Sequence, residues 1–398
     1  MKAPLLTVPG KLLTIGAAVC AAGACMVLAG GPAQAASGGT IEHWGAYGTN
    51  GNQYDSQVSP VAVSLPAPVA QVSSSNSTQY ALLTNGTVYA WGLGTHGELG
   101  NGHLKNSFTT AVKVQFPAGV KIAFLPVDVM PYDTAFAVDT TGQAWGWGDD
   151  AGGELCLGNT TQYTAPVELP FTDVTTLDGG ADHATYDNDG TLSSCGTNTY
   201  GELGNGDMTS STTPVPVSGL SGQSVAELAG SWGNQGALLT NGKYYDWGYD
   251  GAGQLGNGTI SQSSDVPVQV PLPRTVAQVA QGGSAASNGQ TIVMLSDGSL
   301  YAWGNDSSYQ LGDGKTTNEE SPELISSPAG VTYQTLASGG NTSYAISTTG
   351  EVYAWGNSGE GQTGDGKTTR AKTPVAVLAG ATQISSTSTD VVVNVPSG

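Results

Sequence analysis

The chain has 398 residues, with 59 glycines, 20 prolines, only 11% charged side chains and a formal charge of −20. That composition excludes a protein of long amphipathic helices and describes short strands joined by tight turns. The acid excess repels nucleic acid and anionic membranes, and it favours basic proteins or cations as ligands.

Residues 1–35 read differently from the rest. Lys2 and Lys11 precede an apolar run from Leu12 to Leu28, and the small-residue site Ala33-Gln34-Ala35 follows. This is the pattern of a cleaved secretory signal, so the expectation is a secreted, extracellular chain that begins at residue 36 and keeps no membrane-inserted segment. Cys20 and Cys25 leave with the signal, and Cys156 and Cys195 remain.

From residue 40 onward the chain repeats itself about every fifty residues. Trp44-Gly45, Trp91-Gly92, Trp147-Gly148, Trp247-Gly248, Trp303-Gly304 and Trp355-Gly356 each end a short strand, and Cys195-Gly196 stands where a seventh Trp-Gly pair would fall. Five residues before each anchor lies a glycine, from Gly39 and Gly86 to Gly350, suited to a hairpin turn with positive φ. After the anchor comes a Leu-Gly loop, as in Leu99-Gly100 and Leu255-Gly256, whose leucine is placed to plug the gap between units.

A Pro-led alternating strand follows, such as Pro166-Val167-Glu168-Leu169 or Pro374-Val375-Ala376-Val377, where an edge position tolerates the missing N–H. A further strand, such as Val225-Ala226-Glu227-Leu228, makes four per repeat. Four-stranded units repeated radially predict an all-β, seven-bladed β-propeller over residues 36–398. The last repeat supplies strands near Val375 to Val377, Gln383 to Ser385 and Val391 to Val395. The strand Thr40 to Gly45 is expected to be its missing fourth, closing the ring.

The Trp-Gly strand ends, the Gln-Leu-Gly type loops and the repeat length resemble the regulator-of-chromosome-condensation repeat over residues 40–398. Most repeats of that family carry His after a paired glycine; here only Gly179-Gly180-Ala181-Asp182-His183 does, and others read Gly339-Gly340-Asn341. The founding members exchange guanine nucleotide on a nuclear GTPase, a partner that an exported acidic chain would not meet. The chain is also similar to secreted bacterial propellers that inhibit β-lactamases through aromatic residues after the paired glycines.

The resemblance therefore implies a protein-binding scaffold, monomeric and not an enzyme, with an extracellular protein partner; inhibition of an enzyme such as a β-lactamase is the narrower form. At corresponding places the chain offers Tyr132, His183, Trp232 and Asn341, with an extension from Ser284 to Gln290 that includes Asn288. Tyr47, Tyr200, Tyr249 and Tyr309 form a second aromatic set, suited to packing between blades.

Catalytic chemistry is not expected. Gly92-Leu93-Gly94-Thr95-His96-Gly97 has the spacing of a dinucleotide loop but no following helix. Asp187-Asn188-Asp189-Gly190 opens like a calcium loop, yet its twelfth position is Asn198 rather than Glu. His96 and His103 lie too far apart in a glycine loop to suggest zinc, and no cofactor is implied. A secreted or glycan-active enzyme is the competing class, with Asp150 and Asp182 as its carboxylates. Cys156 and Cys195 both depart from the repeat in neighbouring units, and the expectation divides between a disulfide and two buried thiols.

Overall fold

The computed structural model describes residues 40–46, 57–75, 77–126, 129–130, 133–188 and 190–395; the signal segment 1–35, Tyr47 and Tyr132 lie outside them. The described strands form seven sheets, antiparallel but for one short pair, arranged as a ring with innermost strands side by side, the place in blade 2 being taken by Val129–Met130, which lies against Val69–Ser75 and Val174–Gly179. From inner to outer edge, blade 1 holds Val69–Ser75, Thr78–Leu83, Val88–Gly92 and Ser107–Lys113. Blade 2 holds Ile122–Phe124, Thr134–Asp139, Ala144–Gly148 and Tyr163–Glu168, and blade 3 Val174–Gly179, His183–Asn188, Thr191–Gly196 and Ser211–Pro216. Blade 4 is Val225–Gly230, Asn234–Leu239, Tyr244–Tyr249 and Ser263–Gln269; blade 5 is Val276–Gly282, Gln290–Leu295, Leu300–Gly304 and Glu319–Ile325. Blade 6 is Tyr333–Gly339, Thr342–Ser347, Val352–Gly356 and Ala371–Leu378.

The residue pattern accounts for this layering. Second strands such as Thr78–Leu83, Asn234–Leu239 and Thr342–Ser347 are buried along their whole length, because neighbouring blades cover both faces. A flat sheet standing alone would leave one of these faces in water, so the blades are stable only as a ring. The Pro-led segments are the outer strands, where Pro166, Pro214, Pro267 and Pro374 cost no interior ladder bond.

Blade 7 is the seam. It runs Gln383–Ser386, Asp390–Val395, Thr40–Gly45 and Gln57–Val63. Thr40–Gly45 pairs with Asp390–Val395 in the register Ile41 to Asn394 and His43 to Val392. The sequence expectation of three C-terminal strands and one N-terminal strand is corrected to two and two. A Pro-led strand folds back on the Trp-Gly strand just before it: Ala376 faces Tyr353 within blade 6, and Val61 faces His43 within blade 7. Blade boundaries therefore fall after the Pro-led strand. His43 Nε2 sits 3.2 Å from Asp390 Oδ1 across the seam, both side chains buried.

Blade 2 carries an irregularity that the repeat pattern does not announce. Its inner strand Ile122–Phe124 is short, and Val129–Met130 instead pairs in parallel with Val69–Ser75 of blade 1, making that sheet five-stranded.

The tryptophans stitch blades together. The indole N–H of Trp147 donates to the carbonyl of Glu98 at 2.8 Å, that of Trp247 to Glu202 at 2.7 Å, and that of Trp303 to Gln254 at 2.8 Å. Trp355 to Gln310 and Trp44 to Gln362 repeat the contact. Glu98, Glu202, Gln254 and Gln310 each precede the buried leucine of a Leu-Gly loop, and Gln362 precedes Thr363 in its place; Leu99, Leu155, Leu203, Leu255, Leu311 and Thr363 are all 0% exposed, as expected for the inter-blade position.

The glycine after each plug has positive φ, and a Cβ there would lie 2.6–2.8 Å from the tryptophan Nε1 of the next blade. In blade 3 the tryptophan is replaced by Cys195, in the facing loop of blade 2 the glycine is replaced by Cys156, and the two form a disulfide with a Cα separation of 5.6 Å. Cys156 adopts φ 60°, the conformation its glycine counterparts hold.

Candidate functional site

Among the described residues, the turn between the first and second strands of a blade and the loop after its third strand lie at the same end of the ring. Gln254 Nε2, from the loop of blade 4, donates to Ala286 O in the turn of blade 5 at 2.9 Å, and His96 Nδ1 in blade 1 meets Asp133 Oδ2 at the turn of blade 2 at 3.0 Å. This end, which presents the most varied residues, is the candidate interaction face.

The described site residues predicted from sequence all fall in or beside these turns. Trp232 occupies the turn of blade 4 and Asn341 that of blade 6, both half-buried. Between them the extension of blade 5 winds into a single 3-10 turn, Ala286–Asn288. Its Asn288 Oδ1 accepts from the backbone N–H of Ser284 and Ala285 at 2.9 and 2.8 Å, and its Nδ2 donates to Ser284 Oγ. Asn288 thus shapes the extension, and the exposed Ser284 is the residue it presents.

His183 departs from the expectation. It is the first residue of a second strand and is 1% exposed, so it packs beneath the face rather than on it. Burial pushes its imidazole down to about 4, which keeps the ring neutral. The described members of the second aromatic set pack between blades: Tyr200 meets Tyr249 edge to face at 5.0 Å, while the Tyr309 ring lies 5.3 Å from the Lys372 ammonium.

Sequence reasoning missed a run of buried acids on one side of this face. Glu98, Glu154 and Glu202 each accept a hydrogen bond from the backbone N–H two residues earlier, at 2.7, 3.0 and 2.7 Å. In the loops of blades 4, 5 and 6, Gln254, Gln310 and Gln362 make the same bond. Burial pushes the Glu98 and Glu202 carboxyls up to about 7 and that of Glu154 to about 8. Asp182, half-buried, is raised by burial and by the charges of Asp149 and Asp133. The signal available in the sequence was the split itself, Glu in three successive loops and Gln in the next three.

Of the two carboxylates that the enzyme alternative relied on, Asp150 has a local role. Asp150 is 0% exposed, and its Oδ1 accepts the Leu155 N–H at 2.9 Å, as Asp250 and Asp306 do for Leu255 and Leu311. Asp187 Oδ1 accepts the Gly190 N–H at 3.0 Å within its hairpin. The arrangement fixes loop backbones and presents varied side chains from a rigid ring, which is the equipment of recognition.

A ring of seven four-stranded repeat blades with indole staples between them defines a class of repeat propeller. Residues 85–129, 189–237, 241–286 and 297–346 match the Regulator of chromosome condensation (RCC1) repeat, and a second description of that repeat matches 69–98 and 334–362. The chain belongs to the RCC1-repeat family. It is 28% identical over 290 residues to the ultraviolet-B receptor UVR8 of Arabidopsis thaliana, covering 71% of this chain and 64% of the receptor. It is 29% identical over 318 residues to the human E3 ubiquitin-protein ligase HERC2, covering 78% of this chain but 6% of the ligase. The solved structure of human WBSCR16 superposes with a TM-score of 0.78 at 18% identity, covering 91% of this chain and all of the other. That of Saccharomyces cerevisiae Prp20p, described with its binding to Gsp1p and histones, gives 0.77 at 20% identity, covering 91% and 92%.

Proposed function

We propose that this chain is an exported, monomeric protein-binding scaffold rather than an enzyme, which engages an extracellular protein through the turn face of blades 4 to 6. The observation that carries the reading is the succession of three different turns on three consecutive blades: Trp232, then the Ser284 extension, then Asn341. Tryptophan is over-represented among residues that dominate binding energy, and a fixed ring holds these turns in place at little ordering cost. The family supports a protein-binding role, and Prp20p is described as binding other proteins. The Cys156–Cys195 disulfide supports an oxidising compartment.

Affinity purification from culture supernatant with residues 36–398 as bait tests this reading. One stoichiometric partner is expected, retained by a Ser218→Ala control, at a residue that follows the outer strand of blade 3 at the opposite end of the ring, and lost with Trp232→Ala. Recovery of no partner, or of one indifferent to Trp232, contradicts it. The narrower form, inhibition of an extracellular enzyme such as a β-lactamase, rests on the family resemblance and predicts loss of hydrolysis at stoichiometric scaffold.

A further inference from the structure

Where blade 1 meets blade 2, His96, Glu98 and Asp133 bring one imidazole nitrogen and two carboxylate oxygens within 4.8 Å of one another. His96 and Glu98 lie two residues apart in the loop of blade 1, and Asp133 is the turn residue just before the second strand of blade 2. We propose that these three side chains bind a divalent transition-metal ion of the zinc class.

The set has the right chemistry. One imidazole with two carboxylates is a nitrogen–oxygen donor set that suits zinc and its neighbours better than calcium, which takes six or more oxygens. Three protein ligands also match a site whose remaining position is filled by water. His96 is 47% exposed at its side chain, which leaves solvent access on that side, while the Asp133 side chain is 10% exposed.

Glu98 supplies an independent observation. It is 0% exposed, one carboxylate oxygen accepts the His96 backbone N–H at 2.7 Å, and the other has no hydrogen-bond partner among the described residues. A buried carboxylate oxygen left without a donor is costly, and a cation supplies what it lacks. The backbone bond meanwhile fixes the carboxylate as an outer-shell partner fixes a metal ligand.

The other blade junctions provide an internal comparison. Glu154 and Asp182 repeat the two acids at the next junction, but Gly152 stands where His96 would be. Gln254, Gln310 and Gln362 replace the glutamate further round. Nothing in the repeat architecture requires this triad, and the site stands independently of the protein-binding proposal.

Titration calorimetry of residues 36–398 with zinc chloride, and separately with calcium chloride, tests the assignment, with the absorption spectrum of the cobalt-loaded protein as a second readout. One zinc per chain is expected, with little calcium uptake and cobalt bands of a low-coordinate nitrogen–oxygen site. His96→Ala and Glu98→Gln should each weaken binding by about tenfold or more. Glu98→Gln is expected to fold, because glutamine holds the same bond in three loops of this chain. Asp182→Asn should leave the affinity unchanged. No zinc binding at millimolar metal, calcium binding as tight as zinc, or zinc binding indifferent to His96 and Glu98 would each overturn the site.

Discussion

The indole N–H of Trp44 donates to the carbonyl of Gln362, 318 residues further along the chain, at 2.7 Å. The same carbonyl accepts the Tyr344 hydroxyl from its own blade at 2.9 Å. The staple between consecutive blades is thus reused at the seam, where the covalent chain no longer enforces proximity. Trp44→Phe keeps the apolar ring and removes the donor, with an expected loss of about 0.5–1.5 kcal/mol. Trp44→Ala also empties a fully buried site and should cost about 3–5 kcal/mol. Urea unfolding of the two variants separates the contributions.

The cysteine pair substitutes for a glycine and a tryptophan at once, so the two positions are coupled. Cys195→Trp alone should destabilise strongly, because the Cβ of Cys156 would lie against the indole nitrogen as a Cβ on Gly204 would against Trp247 at 2.7 Å. Adding Cys156→Gly should recover much of the loss, giving a favourable coupling in a double-mutant cycle. Reduction of the wild-type disulfide should cost about 2–4 kcal/mol. A loss in the double replacement equal to the sum of the losses of the two single replacements would show that the sites are independent.

Stability should depend on pH in a way set by the buried acids. Glu154 and Glu202 bind protons more tightly in the folded state than at their ordinary value of 4.5, being raised to about 8 and about 7. Their contribution is complete below pH 4.5 and is lost as pH rises through these values. His183 acts oppositely: lowered from 6.5 to about 4, it contributes stability above pH 6.5 that is lost as pH falls. With several acids against one such histidine, the melting temperature should decline from pH 5 to pH 8. Glu202→Gln should flatten that decline, adding on the order of 1–2 kcal/mol at pH 8 and little at pH 5. A wild-type melting temperature that rises over this range contradicts the assignment.

The fold was largely legible in the sequence because a propeller repeats its special residues. Gly86, Gly142 and Gly242 all have positive φ, as the hairpin reading required, and the anchor tryptophans are buried. The seam was misread because periodicity gives the repeat length but not the blade boundary; only strand pairing shows that Val375 belongs with Ala354. His183 was misread because it is the register counterpart of Asn234 and Thr342, which open their second strands, and not of the turn residue Trp232, so it is buried at a strand start. The grouping of His96 with Asp133 was invisible because it joins different blades, and spacing along one loop cannot report which turn lies opposite. Surface identity at Trp232 and Ser284 was legible, but its partner was not, because turn residues are free of the packing constraints that make the repeat readable.

The closure of the ring by the strand Thr40–Gly45 is the claim on which blade count, interaction face and proposed site all depend. Ile41 and Asn394 face each other as backbone partners across that seam. Replacing both with cysteine and quantifying free thiols under mild oxidation, with peptide mapping of any new bond, tests the pairing directly. The predicted result is an intramolecular 41–394 disulfide in the folded monomer and a raised melting temperature. Two free thiols at these positions in a protein that remains folded would contradict the closed ring.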